Sequence, residues 1–93
     1  MNDISEITGY ILDYIKGMNI IINGEINVDD LYNELSKARP SLDLNQIKEA
    51  LKELDQRKIL KYPIHTTQPS YPIREMYEEN YYDYKYAELI IEL

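Results

Sequence analysis

The run from Leu42 to Tyr62 carries its own start signal, periodicity and exit, and it fixes the helix-then-strand unit around which the rest of the chain must fold. Asp43 is an N-cap residue and Gln46 follows three positions later, a capping-box pattern in which each satisfies a backbone N–H of the other. Leu42 before the cap and Ile47 within the first turn form a hydrophobic staple. Leu44, Ile47, Leu51 and Leu54 recur at helical spacing and give one buried stripe, which predicts a helix over 44–57. The run Lys58-Ile59-Leu60-Lys61-Tyr62 then predicts a strand leaving it.

Two more helices precede this unit. Asp3 and Glu6 repeat the capping-box pattern, and Ile4, Ile7, Ile11, Leu12 and Ile15 set an apolar stripe for a helix over 4–16. Gly17 and Met18-Asn19 end it. Gly9 inside it costs up to about 1 kcal/mol against alanine, which suggests a neighbour packed closely there. The Asn23-Gly24 pair predicts a tight turn, followed by a short strand ending at Ile26. Asn27 caps a helix over 28–37, stapled by Ile26 and Leu31, with Leu31, Leu35 and Ala38 facing inward. Pro40 stops it.

After Tyr62 the pattern weakens. Pro63, Pro69 and Pro72, with Thr66, Thr67 and Ser70, predict an extended loop, and Tyr-Pro-Ile occurs at both 62–64 and 71–73. Residues 73–93 fit two periods. As a helix, Ile73, Met76, Tyr77, Tyr81, Tyr84, Ala87 and Ile91 share a face. As a strand, Tyr82, Tyr84 and Tyr86 alternate with Asp83 and Lys85, making 80–92 a return arm. The helical match spans more residues and predicts helix for most of the segment. The division that follows is a domain over 1–72 and a tyrosine-rich extension over 73–93, packed on the domain or on a partner.

Helix, short strand, helix, turn, helix, strand, loop, in this order and size, resembles the winged-helix superfamily. The residues that carry the resemblance are Ile26 through Tyr62, with Asp30-Leu31-(x)3-Leu35 as the supporting helix and Ile47 to Leu60 as the recognition helix entering the first wing strand. The turn from Ala38 to Asp43 is longer than in the tightest helix-turn-helix repressors. The fold implied is mainly α with a small β-hairpin or wing: a three-helix core plus a C-terminal helix. The superfamily includes DNA-reading regulators and protein-binding modules of larger assemblies, so the resemblance specifies fold more strongly than function.

Charge separates those two readings. The net charge is −7, with −4 over 1–40, +1 over 41–62 and −4 over 63–93. Long-range repulsion from nucleic acid leaves only the middle of the chain suited to DNA. There the third helix would present Asn45, Gln46 and Lys52 to bases or phosphates, with Lys48, Arg57, Lys58 and Lys61 on the backbone. Glu49 and Glu53 stand on the same face, and 64–73 offers no lysine or arginine. The alternative is that these charges form a solvated face. The protein-binding reading rests on the tail. Five tyrosines lie between Tyr77 and Tyr86, and tyrosine is enriched at binding hot spots. Tyr77, Tyr81, Tyr84 and Ile91 are the candidate contact residues, for a protein partner or a second copy; packing onto the chain's own first helix is the competing expectation.

Chemistry is not expected. His65 is the only histidine and cysteine is absent, so no ordinary zinc site or thiol nucleophile is available. No phosphate-cradling loop or nucleophile motif occurs, and Glu78, Glu79 and Asp83 lack the glycine-turned loop of a calcium site. No enzyme activity, cofactor or small-molecule substrate is expected. The absence of cysteine and of an apolar signal stretch near Met1 points to the cytoplasm, without membrane insertion. Phenylalanine and tryptophan are absent too, so the core must be aliphatic with tyrosine at its edges.

Overall fold

The computed structural model describes residues 3–62 and 85–93. In chain order these form α1 (Ile4–Gly17), β1 (Glu25–Asn27), α2 (Val28–Ala38), α3 (Leu44–Gln56), β2 (Leu60–Lys61) and β3 (Tyr86–Leu89). Three helices therefore pack with a small antiparallel sheet whose strand order is β1-β3-β2.

Helix boundaries follow from local hydrogen bonding. Asp3 caps α1 by accepting from the Ser5 N–H at 3.2 Å, and Asn27 caps α2 by accepting from the Asp30 N–H at 2.9 Å. At α3 the full capping box forms: Asp43 accepts from the Gln46 N–H at 2.9 Å while Gln46 Oε1 accepts from the Asp43 N–H at 3.0 Å. Ile26, Leu31, Leu42 and Ile47, the residues of the two expected staples, are all buried in the core.

The C-termini of α1 and α3 share one solution. The Asn19 N–H donates to the Lys16 carbonyl and the Ile20 N–H to the Ile15 carbonyl; the Lys58 N–H donates to Asp55 and the Ile59 N–H to Leu54. These are paired Schellman bonds, and each needs a left-handed residue at the turn. Asn19 (φ 56°) and Lys58 (φ 61°) fill that position without glycine. A third left-handed residue, Asn23 (φ 68°), makes the turn before β1, where the Gly24 N–H donates to the Ile21 carbonyl at 2.8 Å. Gly24 is required there for space: a Cβ would sit 2.7 Å from the Ile21 carbonyl oxygen and 2.8 Å from Ile20 Cγ2.

Of the tail, only 85–93 are among the described residues, and there the chain is not the helix expected. Tyr86–Leu89 is a strand, and it lies in the middle of the sheet. Ile26 pairs with Ala87 and Asn27 with Tyr86 on one side, and Leu60 with Leu89 on the other. Ala87 and Leu89 point into the core while Tyr86 and Glu88 are half-buried on the other face. The period is therefore two, as in the return-arm alternative. Over 86–89, hydrogen bonding to a neighbouring strand on each side decides for the strand. Residues 63–84, which include the extended loop expected over 63–72 and the first part of the tail, lie outside the described residues.

The core joins one face of the sheet to all three helices: Ile7, Ile11 and Ile15 from α1, Leu31 and Leu35 from α2, and Ile47, Leu51 and Leu54 from α3. Ile4, Leu12 and Leu44 are only partly buried at its margin, and Ala50, absent from the expected stripe, is fully buried. Ala38 is exposed rather than inward, because α2 ends there and the chain turns so that Leu42 takes the core position. Gly9 faces open space among the described residues, with nothing within 4 Å of an added Cβ, so no close packing explains it. No helix among the described residues is long and apolar enough to cross a membrane.

Candidate functional site

On the outward side of α3, Glu49, Lys52 and Glu53 take part in ion pairs and Gln46 in the helix cap. Lys52 Nζ lies 3.4 Å from Glu49 Oε1, and an Arg57 guanidinium nitrogen lies 3.0 Å from Glu53 Oε1. Gln46 uses its side-chain oxygen in the capping box. Reading an adenine takes both the oxygen and the nitrogen of a glutamine amide, so Gln46 would have to leave its cap to do it. Lys48 is half-buried, while Asn45, Arg57, Lys58 and Lys61 are exposed. The last three sit on the turn and strand that follow α3. Lys61 is paired in register with Glu88 of β3, which on its other side opposes Glu25. The basic residues of this region therefore stand among carboxylates rather than forming a stripe.

Asp55 shows the electrostatic cost of this end of α3. Partial burial pushes its carboxyl pKa up from the ordinary 3.8, against a backbone hydrogen bond from Tyr62 and the nearby charge of Lys61, which both pull it down. A carboxyl whose folded pKa is raised is easier to fold protonated. Its ionisation therefore removes stability as pH rises from the unfolded value through the folded one. Asp55→Asn keeps an acceptor for the Tyr62 N–H and removes the charge. Its thermal midpoint is expected above that of the parent at pH 7, with the gap closing at about pH 3, where both side chains are neutral. A gap that persists unchanged at the acid end would show that ionisation is not its origin.

The structure also holds a feature that sequence reasoning missed. The segment after α1 and the residues after β3 border an open groove of about 570 Å³. Ile15 and Leu89, both buried, lie at its base, and Ile20, Ile21, Ile22 and Leu93 form its sides. Ile21 is 75% exposed, Ile22 44% and Leu93 43%. Lys16 and Glu92 stand at the rim, contributed by different segments. The signal was present as three consecutive isoleucines between a helix stop and an Asn-Gly turn. A run of that kind in a loop has no internal face to hide all of its side chains.

Tyr77, Tyr81 and Tyr84 lie outside the described residues. Ile91 is 38% exposed and follows β3 closely, but it does not line the groove. Elsewhere, Tyr14, Met18, Asp30, Asn33, Glu34 and Lys37 border a second opening, of about 670 Å³, between α1 and α2. Burial, then the negative charge of Asp30 and Glu34, hold the Tyr14 hydroxyl pKa above its ordinary value. Above it in the chain order of contacts, the Arg39 guanidinium stacks 3.5 Å from the centre of the Tyr10 ring and ties the end of α2 to α1. Among the described residues no three histidine, aspartate or glutamate side chains come together to hold a metal ion.

Comparison with protein-family models, with curated proteins and with solved structures finds no match to the chain.

Proposed function

We propose that this chain is a winged-helix protein-interaction module, a non-catalytic subunit or adaptor of a larger assembly. The fold assignment is supported by the element order and by the sheet order β1-β3-β2, with α3 running directly into β2 and β3 returning antiparallel beside it. The observation that carries the functional reading is the exposed isoleucine-lined groove beside β3. Apolar side chains exposed together and rimmed by polar residues are a feature of interaction sites. The paired charges on α3 and the net charge of −7 argue in the same direction, since both weaken attraction to phosphates.

A DNA-binding regulator is the second reading. It is favoured by exposed Asn45 and by Arg57, Lys58 and Lys61 following the helix. Fluorescence anisotropy of a labelled mixed-sequence duplex at about 50 mM and about 200 mM salt separates the two, because phosphate contacts lose affinity steeply with salt. The interaction reading expects no duplex binding at the lower salt. It also expects affinity purification to recover a partner that the Ile21→Glu variant fails to hold. Salt-sensitive duplex binding that Lys52→Glu abolishes would replace it with the DNA reading.

A further inference from the structure

We infer that the groove formed by Ile20, Ile21, Ile22 and Leu93 is a self-association face whose occupant is the same face of a second copy of this chain. The inference rests on the protein-interaction reading and names a partner for it. The argument starts from what a two-fold contact demands. In such a contact one surface meets itself, so every group on it must find its complement elsewhere on the same surface. Apolar side chains meet this condition automatically, and Ile21, Ile22 and Leu93 are the exposed ones here. Charges meet it only when one surface carries both signs at separate places.

This groove does. Lys16, at the end of α1, and Glu92, beyond β3, are both exposed and both border it. Neither is in an ion pair with any described residue, while Lys37 and Lys52 each have a carboxylate partner on their own helix and Arg57 has one on the helix it follows. A two-fold axis through the groove sets Lys16 of each copy toward Glu92 of the other, giving two equivalent pairs around an apolar centre. The chain carries −7 in all, and self-repulsion between two copies opposes contact wherever acidic side chains predominate. A rim that carries one charge of each sign adds nothing to that repulsion.

Sedimentation velocity of the full chain from about 1 to about 300 µM tests this. A monomer–dimer equilibrium in the micromolar range is expected, in keeping with a contact smaller than a standard interface. Ile21→Glu is expected to weaken dimerisation at least tenfold with little change in thermal midpoint, since Ile21 is 75% exposed in the single chain. Lys16→Glu and Glu92→Lys each place like charges together twice and are expected to weaken it several-fold. The double variant restores the pairs and is expected to return dimerisation close to the parent value. Thermal midpoints of all variants are recorded, because Lys16 also complements the C-terminal dipole of α1.

A chain that stays monomeric at every concentration overturns the inference, and so does a dimer that Ile21→Glu leaves unchanged. A double reversal no better than the single ones overturns the two-fold placement. A monomer that still captures a partner protein dependent on Ile21 removes self-association alone and leaves the interaction reading standing.

Discussion

Deleting residues 85–93 is expected to abolish cooperative folding, although these residues are under a tenth of the chain. The reason is topological. β3 is the middle strand, so its loss leaves β1 and β2, of three and two residues, with no strand to pair with. Strands this short have no independent stability. The bonds lost extend beyond the ladder: the Asn23 N–H to the Leu89 carbonyl at 2.6 Å, the Leu89 N–H to Gly24 at 3.1 Å, the Val28 N–H to Lys85 at 2.8 Å and the Ile90 N–H to Ile59 at 3.1 Å. Ala87 and Leu89 leave a hole over Ile26 and Leu60. Burying one leucine is worth about 1.5–3 kcal/mol, and each hydrogen bond about 0.5–1.5 kcal/mol net. Together they approach the whole stability of a domain, about 5–15 kcal/mol. Far-UV circular dichroism of the truncated chain is expected to show no cooperative melt at any temperature. A sigmoidal transition near that of the full chain would mean that the helices hold together without the sheet. A fragment ending at residue 72 lacks β3 as well and is expected to behave the same way.

What the sequence revealed, and what it hid, divides along the range of the interactions. The helices were legible because their determinants are local. Asp43 and Gln46 are three residues apart, and so are Asn27 and Asp30, and each pair meets in the structure. The strand character of Tyr86–Leu89 was not decided locally. Ala87 belongs to either period, and only its pairing with Ile26, about sixty positions away, settles which one wins. Ala38 fits the inner stripe of α2 by period alone, but the helix runs out before it reaches the core. On α3 the local period separates the buried Ile47, Leu51 and Leu54 from the exposed Asn45, Glu49 and Gln56. The pairings there were not foreseen, since listing Lys52 and Glu49 as members of one face does not say that they will satisfy each other. The groove was hidden for a different reason: its two sides come from opposite ends of the chain, and no window of sequence contains both Ile21 and Leu93.

Tyr62→Ala is expected to be the most damaging single substitution among the described residues. Tyrosine in a core without phenylalanine or tryptophan is expected at the margins, and Tyr10, Tyr14 and Tyr32 do lie there, partly buried against it. Tyr62 does not. It is fully buried directly after β2, the largest side chain to be so among the described residues. Its backbone N–H also donates to Asp55, closing the α3–β2 corner. Removing a buried aromatic ring costs about 3–5 kcal/mol, part of it for the cavity left behind. In a domain of this size that corresponds to a fall in Tm of more than about 10 °C. Tyr62→Phe keeps the ring and the backbone bond and is expected to cost no more than one hydrogen bond, about 1.5 kcal/mol at most. Thermal melts of the two variants side by side separate volume from polarity. If alanine proves as mild as phenylalanine, the ring is not filling the core and the β2 end of the sheet is looser than its burial implies. The same pair of substitutions distinguishes a core tyrosine from a binding one. At Tyr81 or Tyr84 a partner-contact role expects alanine to leave the melt unchanged and weaken a complex, whereas at Tyr62 the loss is in the fold itself.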